Sequence, residues 1–273
     1  MGAEDQLKHL PAQRAAALHV MDVASDGWAS SNDVAAALQV DPAMTAHVLR
    51  LANSAYYGMS GRVRSVGFAV TVIGFSAVRS MAATFAAGVV GARVPTAFWD
   101  RAAASAASAS LTAAQIGAAR LDGFSVGLLH ELGDYLLFRK DEEAHTRLHT
   151  EINHWDCKRR CRHERELFGT DHGELLASSL EAWHFPEDFI EAYATHGEAN
   201  LASSPLARTL VAGQALSALA LMPDEERMWV GDFVTRLASR LDIGFIDPSQ
   251  AWGFSRRARE EAGILAACLP IAA

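Results

Sequence analysis

The chain has 273 residues, half of them hydrophobic and 21% charged, with a formal net charge of −8. That composition fits a globule able to bury a core, and the acidic balance argues against a general nucleic-acid surface or an anionic membrane as partner. Three cysteines, Cys157, Cys161 and Cys268, make no disulfide framework and suit a reducing cytoplasm, the compartment expected for this protein. The first twenty residues carry acids early and lack an apolar core, so no secretory signal is expected. No run reaches about 18 uninterrupted apolar residues, so no membrane span is expected either.

In chain order, residues 12 to 24 are Ala-rich and read as a first helix. Residues 31 to 39, SNDVAAALQ, read as a second, capped by Ser30 or Ser31. Asp41-Pro42 starts a third. Asp41 can accept from free backbone N–H groups, and Pro42 at the first helical position gives up only an N–H that would be unpaired. Met44, Val48, Leu51 and Ala55 then recur at helical spacing, which carries the helix to about Tyr56. Asn53 and Ser54 are an unusual polar pair at its end, suited to bonding backbone, and YYGMSGRVRS is a loop. VGFAVTVIG (66 to 74) is ambiguous, because its β-branched residues suit a strand. Phe75 to Val90 is apolar on most faces and reads as a central buried helix.

After a break at Pro95-Thr96, residues 97 to 120 form a long helix whose small residues predict close backbone approach. FSVGLLHELGDYLLFR (124 to 139) follows, then a polar helix from about 141 to 167. Asp171 caps a helix ending near Trp183, with Glu174 as its capping-box partner. Another helix runs from Pro186 to about His196. ANLASSP (199 to 205) is a loop and 205 to 222 a further helix. Beyond Pro223 two more helices are expected, the last starting at Asp247-Pro248. Nothing alternates as strands do and no repeat has a fixed period, so the fold class is all-α.

Eight of the eleven histidines lie between His130 and His196. Imidazoles and carboxylates together suit divalent transition metals, and two such ions can activate water against a phosphoester. The segments DP…LRLANSAYYG, SVGFAVTVIG, FW at 98 and 99, GLLHELG (127 to 133), FGTDHGELLASSLEAWHFP (168 to 186) and the later His196 are present in this order. In combination they resemble the HDOD family, bacterial signalling domains related to the HD phosphohydrolases, over about residues 7 to 220. The resemblance implies a multi-helical bundle with an N-terminal helical subdomain (1 to 95) and an HD-like helical subdomain (96 to 222), and residues 223 to 273 read as a helical C-terminal extension that the family motifs do not explain. The resemblance also makes residues 66 to 74 a helix.

In HD phosphohydrolases the metal ligands are an early His, an adjacent His-Asp pair, further His residues and a late Asp. The resemblance places His130-Glu131 at the pair, His172 in the next segment and His196 after it. Arg101 falls where the early His is expected, and Gln214 where the late Asp is. A guanidinium has no lone pair for a metal and brings its own positive charge. The GYP-containing motif of HD-GYP enzymes is absent, with GEANLASSP in its place, so cyclic-di-GMP hydrolysis is not expected.

The resemblance thus implies a vestigial site. His130, Glu131, His172 and His196 are expected to be hydrogen-bonded within the bundle, with Arg101 paired to Glu131. No catalytic residue and no cofactor are expected, beyond a weakly held divalent metal. Arg101, Gln214, Asn53 and Ser54 are the binding or structural candidates. The implied function is a non-catalytic regulatory module that binds a signalling protein or a small ligand, with no membrane partner. One alternative is an HD-type metal-dependent phosphohydrolase or phosphodiesterase using His130, Glu131, His172 and His196. Another is a helix-turn-helix regulator built on residues 31 to 55, with Arg50, Arg62 and Arg64 on phosphates. Against that one, the candidate recognition helix begins DPAMTAHV, which offers few side chains that read base edges.

His154, Cys157 and Cys161 fall within about 60° on one helix face. His163 lies opposite, and structural zinc takes four ligands from at least two segments, so a free-thiol helix is expected there. The basic run CKRRCRHER (157 to 165) reads as a solvated face among Glu151, Asp156, Glu164 and Glu166, in preference to a docking site for an acidic partner or a phosphate.

Overall fold

The computed structural model of the chain describes residues 12–89, 96–152, 157–196, 204–222, 248–267 and 269. These residues form α1 (Ala12–Val23), α2 (Ser31–Leu38), α3 (Pro42–Ala52), a 3-10 turn (Ala55–Tyr57), α4 (Val66–Ile73), α5 (Phe75–Ala86), α6 (Thr96–Ile116) and α7 (Arg120–Lys140). They continue as α8 (Glu142–Glu151), α9 (Cys157–Phe168), α10 (His172–Ala182), α11 (Glu187–Ala194), α12 (Pro205–Leu221) and α13 (Pro248–Ala266). No strand occurs among them, so the fold is all-α as expected. Of the two helices expected beyond Pro223, the last is α13, which starts at Pro248 as expected, and the other lies outside the described residues.

Local capping sets the early helix starts. Ser30 accepts from the Asp33 backbone N–H while the Asp33 carboxylate accepts from that of Ser30 at 2.8 Å, a closed capping box. Asp41 Oδ1 accepts from the N–H groups of Ala43 at 2.7 Å and Met44 at 3.1 Å, with Pro42 in the first turn.

Helix α3 stops at Ala52, four residues short of the expected end at Tyr56. Asn53 is the reason. Its Nδ2 donates to the carbonyls of Leu49 at 3.0 Å and Val63 at 2.8 Å, and its Oδ1 accepts from the Val63 N–H at 3.0 Å. The side chain therefore replaces helix continuation with a clamp on the returning loop, and Gly58 at φ +66° closes the 3-10 turn.

The ambiguous segment 66–74 is helix α4, capped by Ser65. Gly74, at φ 82° and ψ 160°, breaks the chain between α4 and α5, which are bent by 105° to each other. Among the described residues no single helix is long and apolar enough to cross a membrane.

Helices α6 and α7 pack side by side at the centre. Helices α12 and α13 cover α6, α1 lies on α5, α2 and α3 pack on α4, and α10 and α11 close over α7. Small residues allow the close central approach. A Cβ on Gly127 of α7 would stand 2.4 Å from the Ser105 carbonyl of α6, and one on Gly213 of α12 would stand 2.7 Å from Ala109 Cβ. One buried apolar cluster runs from Ala17 in α1 to Leu269.

Two boundaries differ from expectation. Helix α6 ends at Ile116 on Gly117 (φ +89°), and α7 begins at Arg120. The polar helix expected over 141–167 divides into α8 and α9. Ile152 leaves helical geometry and is buried with Leu137, Ala144, Leu148 and Phe168, a small core that one straight helix would not close.

Candidate functional site

Helix α7 carries His130, Glu131 and Asp134 on its inner face, where nearly every residue from Gly123 to Leu137 is buried. Gly133 lets α10 approach, since a Cβ there would lie 2.3 Å from the His172 carbonyl oxygen. Helix α6 brings Arg101, α8 brings His145 and His149, and α9 brings Cys157, Arg160, Cys161 and Glu164. His172 opens α10, where Asp171 caps it in a capping box with Glu174. His196 follows α11. All are buried except Arg101, His149 and Cys157, which are half-buried.

These groups form one continuous ionic network. Arg101 Nε donates to Glu131 Oε2 at 2.6 Å, and a second nitrogen of the same guanidinium reaches Asp134 Oδ2 at 3.2 Å. The other oxygen of Asp134 faces His145 Nε2 at 2.8 Å, His149 Nε2 at 3.0 Å and an Arg160 nitrogen at 2.9 Å. Arg160 Nε donates to Glu164 Oε1 at 2.7 Å. Glu164 Oε2 accepts from the His172 backbone N–H at 3.0 Å and from His172 Nδ1 at 2.5 Å. Glu131 Oε1 takes His130 Nδ1 at 3.2 Å. Every oxygen of Glu131, Asp134 and Glu164 thus has a cationic or N–H partner.

The electrostatics follow from burial and partners. Burial alone would raise the three carboxyls, but it is overridden: by Arg101 at Glu131, by Arg160 at Asp134, and by His172 and Arg160 at Glu164. All three lie below the usual carboxylate range. Burial pushes His130 down to about 4, against the pull of Glu131. His130 Nε2 has no hydrogen-bond partner among the described residues. Burial and Arg160 oppose a proton on His172, yet Glu164 prevails and its pKa lies above the ordinary value.

His172 Nε2 and His196 Nε2 meet at 2.8 Å. His196 Nδ1 faces the Tyr193 carbonyl at 2.7 Å and so carries the proton, which leaves Nε2 as a lone pair accepting from His172. Tyr193 is itself fixed, fully buried with its hydroxyl donating to the Val126 carbonyl.

The fold brings together four residues singled out from sequence. The His130 ring centroid lies 5.3 Å from that of His172 and 5.8 Å from that of His196, and Glu131 joins them through His130. Arg101 pairs with Glu131 as expected. Gln214 sits on α12, apart from these contacts, and its Nε2 has no hydrogen-bond partner among the described residues. Asn53 and Ser54 take no part in the network. Asn53 holds the Val63 loop, and the buried Ser54 hydroxyl is unbonded among the described residues.

Sequence reasoning missed Asp134, His145, His149, Arg160 and Glu164. The basic run is no simple solvated face: Lys158, Arg159 and Arg162 are exposed, but Arg160 is 3% exposed and Glu164 fully buried. The Glu131–Asp134 spacing and the Arg160–Glu164 pair at i, i+4 were the available signals.

Among the described residues, three sets of donor atoms each lie within 4.8 Å of one another: Cys157, Cys161, His172 and His196; Cys161, Glu164, Asp171 and His172; and Asp134, His145 and His149. Cys157 and Cys161 are free thiols on one helix, as expected, and two imidazoles from other segments face them. His154 lies outside the described residues.

The HDOD domain family profile matches residues 10–199. No curated protein matches the chain. Among solved structures it resembles a candidate phosphohydrolase of Shewanella amazonensis SB2B, with a TM-score of 0.71 at 23% identity over 96% of this chain and 97% of the other. It resembles a candidate signal transduction protein of Marinobacter aquaeolei VT8, with a TM-score of 0.69 at 21% identity over 98% of this chain and 61% of the other. An HDOD domain protein of unknown function from Geobacter sulfurreducens aligns with a TM-score of 0.63 at 19% identity over 98% and 96%.

Proposed function

The chain belongs to the HDOD domain family, and from that premise we propose that it is a non-catalytic cytoplasmic regulatory module whose HD-type site has become a buried ionic lock. It acts by binding a signalling protein, with a small ligand as the second candidate. The observation that supports this reading is the pair of guanidiniums on Asp134. Arg101 and Arg160 each bridge Asp134 to a second carboxylate, Glu131 and Glu164 respectively. A hydrolytic two-metal centre needs those oxygens for cations. Here they are spent on permanently charged partners that cannot serve as ligands, so the residues present do not fit such a centre.

The phosphohydrolase reading retains one specific support: the Nε2 of buried His130, beside His172 and His196, has no hydrogen-bond partner among the described residues. One assay separates the two. The purified chain is offered bis(4-nitrophenyl) phosphate with Mn²⁺, Fe²⁺, Ni²⁺ or Zn²⁺. The regulatory reading expects no metal-dependent turnover, and it expects Arg101→Ala and Glu131→Ala to change the set of proteins cross-linked to the chain in cells. Robust hydrolysis that disappears in Glu131→Ala would establish the enzyme instead.

A further inference from the structure

The carboxylates of the lock leave one group of donors of a different character beside them. Cys157 and Cys161 stand one turn apart on α9 with their sulfurs 3.9 Å apart, and Cys161 Sγ is 3.8 Å from His196 Nε2. His172 Nε2 closes the group, 2.8 Å from that same nitrogen. We propose that Cys157, Cys161, His172 and His196 form a Cys2His2 zinc site. It shares His172 and His196 with the residues that the family resemblance places at HD-type ligand positions, and differs in its two thiolates and in leaving out His130, Glu131 and Asp134. The inference is compatible with the regulatory reading and competes with the phosphohydrolase reading for the two imidazoles.

The spacing is that of a tetrahedral thiolate–imidazole site. Zinc–sulfur bonds of about 2.3 Å and zinc–nitrogen bonds of about 2.05 Å place ligand atoms about 3.8 Å (S to S), 3.6 Å (S to N) and 3.3 Å (N to N) apart. The sulfur pair at 3.9 Å and the Cys161–His196 pair at 3.8 Å sit close to these values, the nitrogen pair is tighter by about half an ångström, as befits two ring nitrogens sharing a proton, and all four donor atoms lie within 4.8 Å of one another. The four donors come from three segments, α9, the start of α10 and the turn after α11, which supplies the second segment that a structural site requires.

The surroundings are built as metal-ligating histidines need. Each imidazole donates its Nδ1 proton away from the site, His172 to Glu164 and His196 to the Tyr193 carbonyl. That fixes the tautomer in which both Nε2 atoms face the sulfurs. Gly173 makes room for the His196 ring, because a Cβ there would lie 2.0 Å from His196 Cε1. Two thiolates also neutralise the ion, so the buried site adds no net charge beside Arg160. Soft sulfur donors favour zinc over magnesium or manganese. With four protein ligands and no open position, the site is structural.

The test is a cobalt titration of the full chain, stripped with chelator and kept reduced. The expected result is one Co²⁺ per chain, with a thiolate-to-cobalt charge-transfer band and the intense visible bands of tetrahedral cobalt, both removed by one equivalent of Zn²⁺. Cys157→Ser and Cys161→Ser each lose the charge-transfer intensity in part or whole, while Cys268→Ser keeps it. Glu164→Gln weakens zinc binding by about 10- to 100-fold. Cys157 is only half-buried, so its variant decides the matter even if Cys161→Ser fails to fold. Weak octahedral bands alone, a band that survives both cysteine changes, or a single titratable thiol in the unreduced wild type (a Cys157–Cys161 disulfide) would each overturn the assignment.

Discussion

Residues 12–89 and the α6–α11 region bury their polar groups in opposite ways. In the first, the buried polar or charged side chains are Asp41, Ser54, Arg79, Ser80 and Thr84. Asp41 caps a helix, Ser80 and Thr84 bond backbone of their own helix, and Arg79 donates to the His184 carbonyl and lies over the Phe185 ring. In the second, His130, Glu131, Asp134, His145, Arg160, Glu164, His172 and His196 are all buried, most of them bonded to one another. An apolar core tolerates the loss of one contact at the cost of that contact. A buried ionic network does not, because each removed partner leaves an uncompensated charge. The two regions should therefore fail differently.

The sharpest break in that comparison is Arg160→Met. It strips Asp134 and Glu164 of a shared counter-charge at a side chain 4% exposed, and about 3–5 kcal/mol of stability should vanish, read by urea unfolding. Acidification comes next. The buried carboxyls have folded pKa values below their unfolded ones, so their contribution is complete above about pH 4.5 and is lost as pH falls further. His130 is also depressed, to about 4, so its contribution is complete above about pH 6.5 and is lost between there and pH 4, about 3 kcal/mol in all. Hydrogen exchange at pH 4.5 should show α7–α10 amides losing protection before those of α2–α4. Equal loss in both regions would remove the distinction.

Arg101→Ala should cost less than Arg160→Met, about 2 kcal/mol, because its side chain is 21% exposed and water partly replaces it. The smallest effect belongs to the first region. Asn53→Ala unties the Val63 N–H and should cost about 1–2 kcal/mol, with a thermal midpoint shift that does not depend on pH between 4 and 7, a range set by carboxylate and imidazole titration.

What was legible in the sequence divides along the same line. The caps at Ser30, Asp41 and Asp171 close within three residues, so the sequence carries them whole. The true end of α3 depends on Val63, ten residues beyond Asn53, and helical spacing alone overran it. Arg101–Glu131 came from the family resemblance, because nothing local links α6 to α7. Arg160 and Glu164 show the limit most clearly: a pair at i, i+4 looks alike on a wet face and in a core, and only the packing of α7 and α10 decides which. Cys157 and Cys161 were seen to share a face, but the imidazoles that meet them are brought there by two other helices.

The four donors that converge on Asp134 from α6, α8 and α9 make this one aspartate a joint between helices. Replacing Arg101 frees one of its oxygens while Arg160 still holds the other, so no single substitution clears both. Any redesign of this centre needs at least two replacements made together, and each alone should yield a less stable protein. Asp134 is therefore a point of epistasis: the effect of a change on one of these helices depends on what the others still present to it.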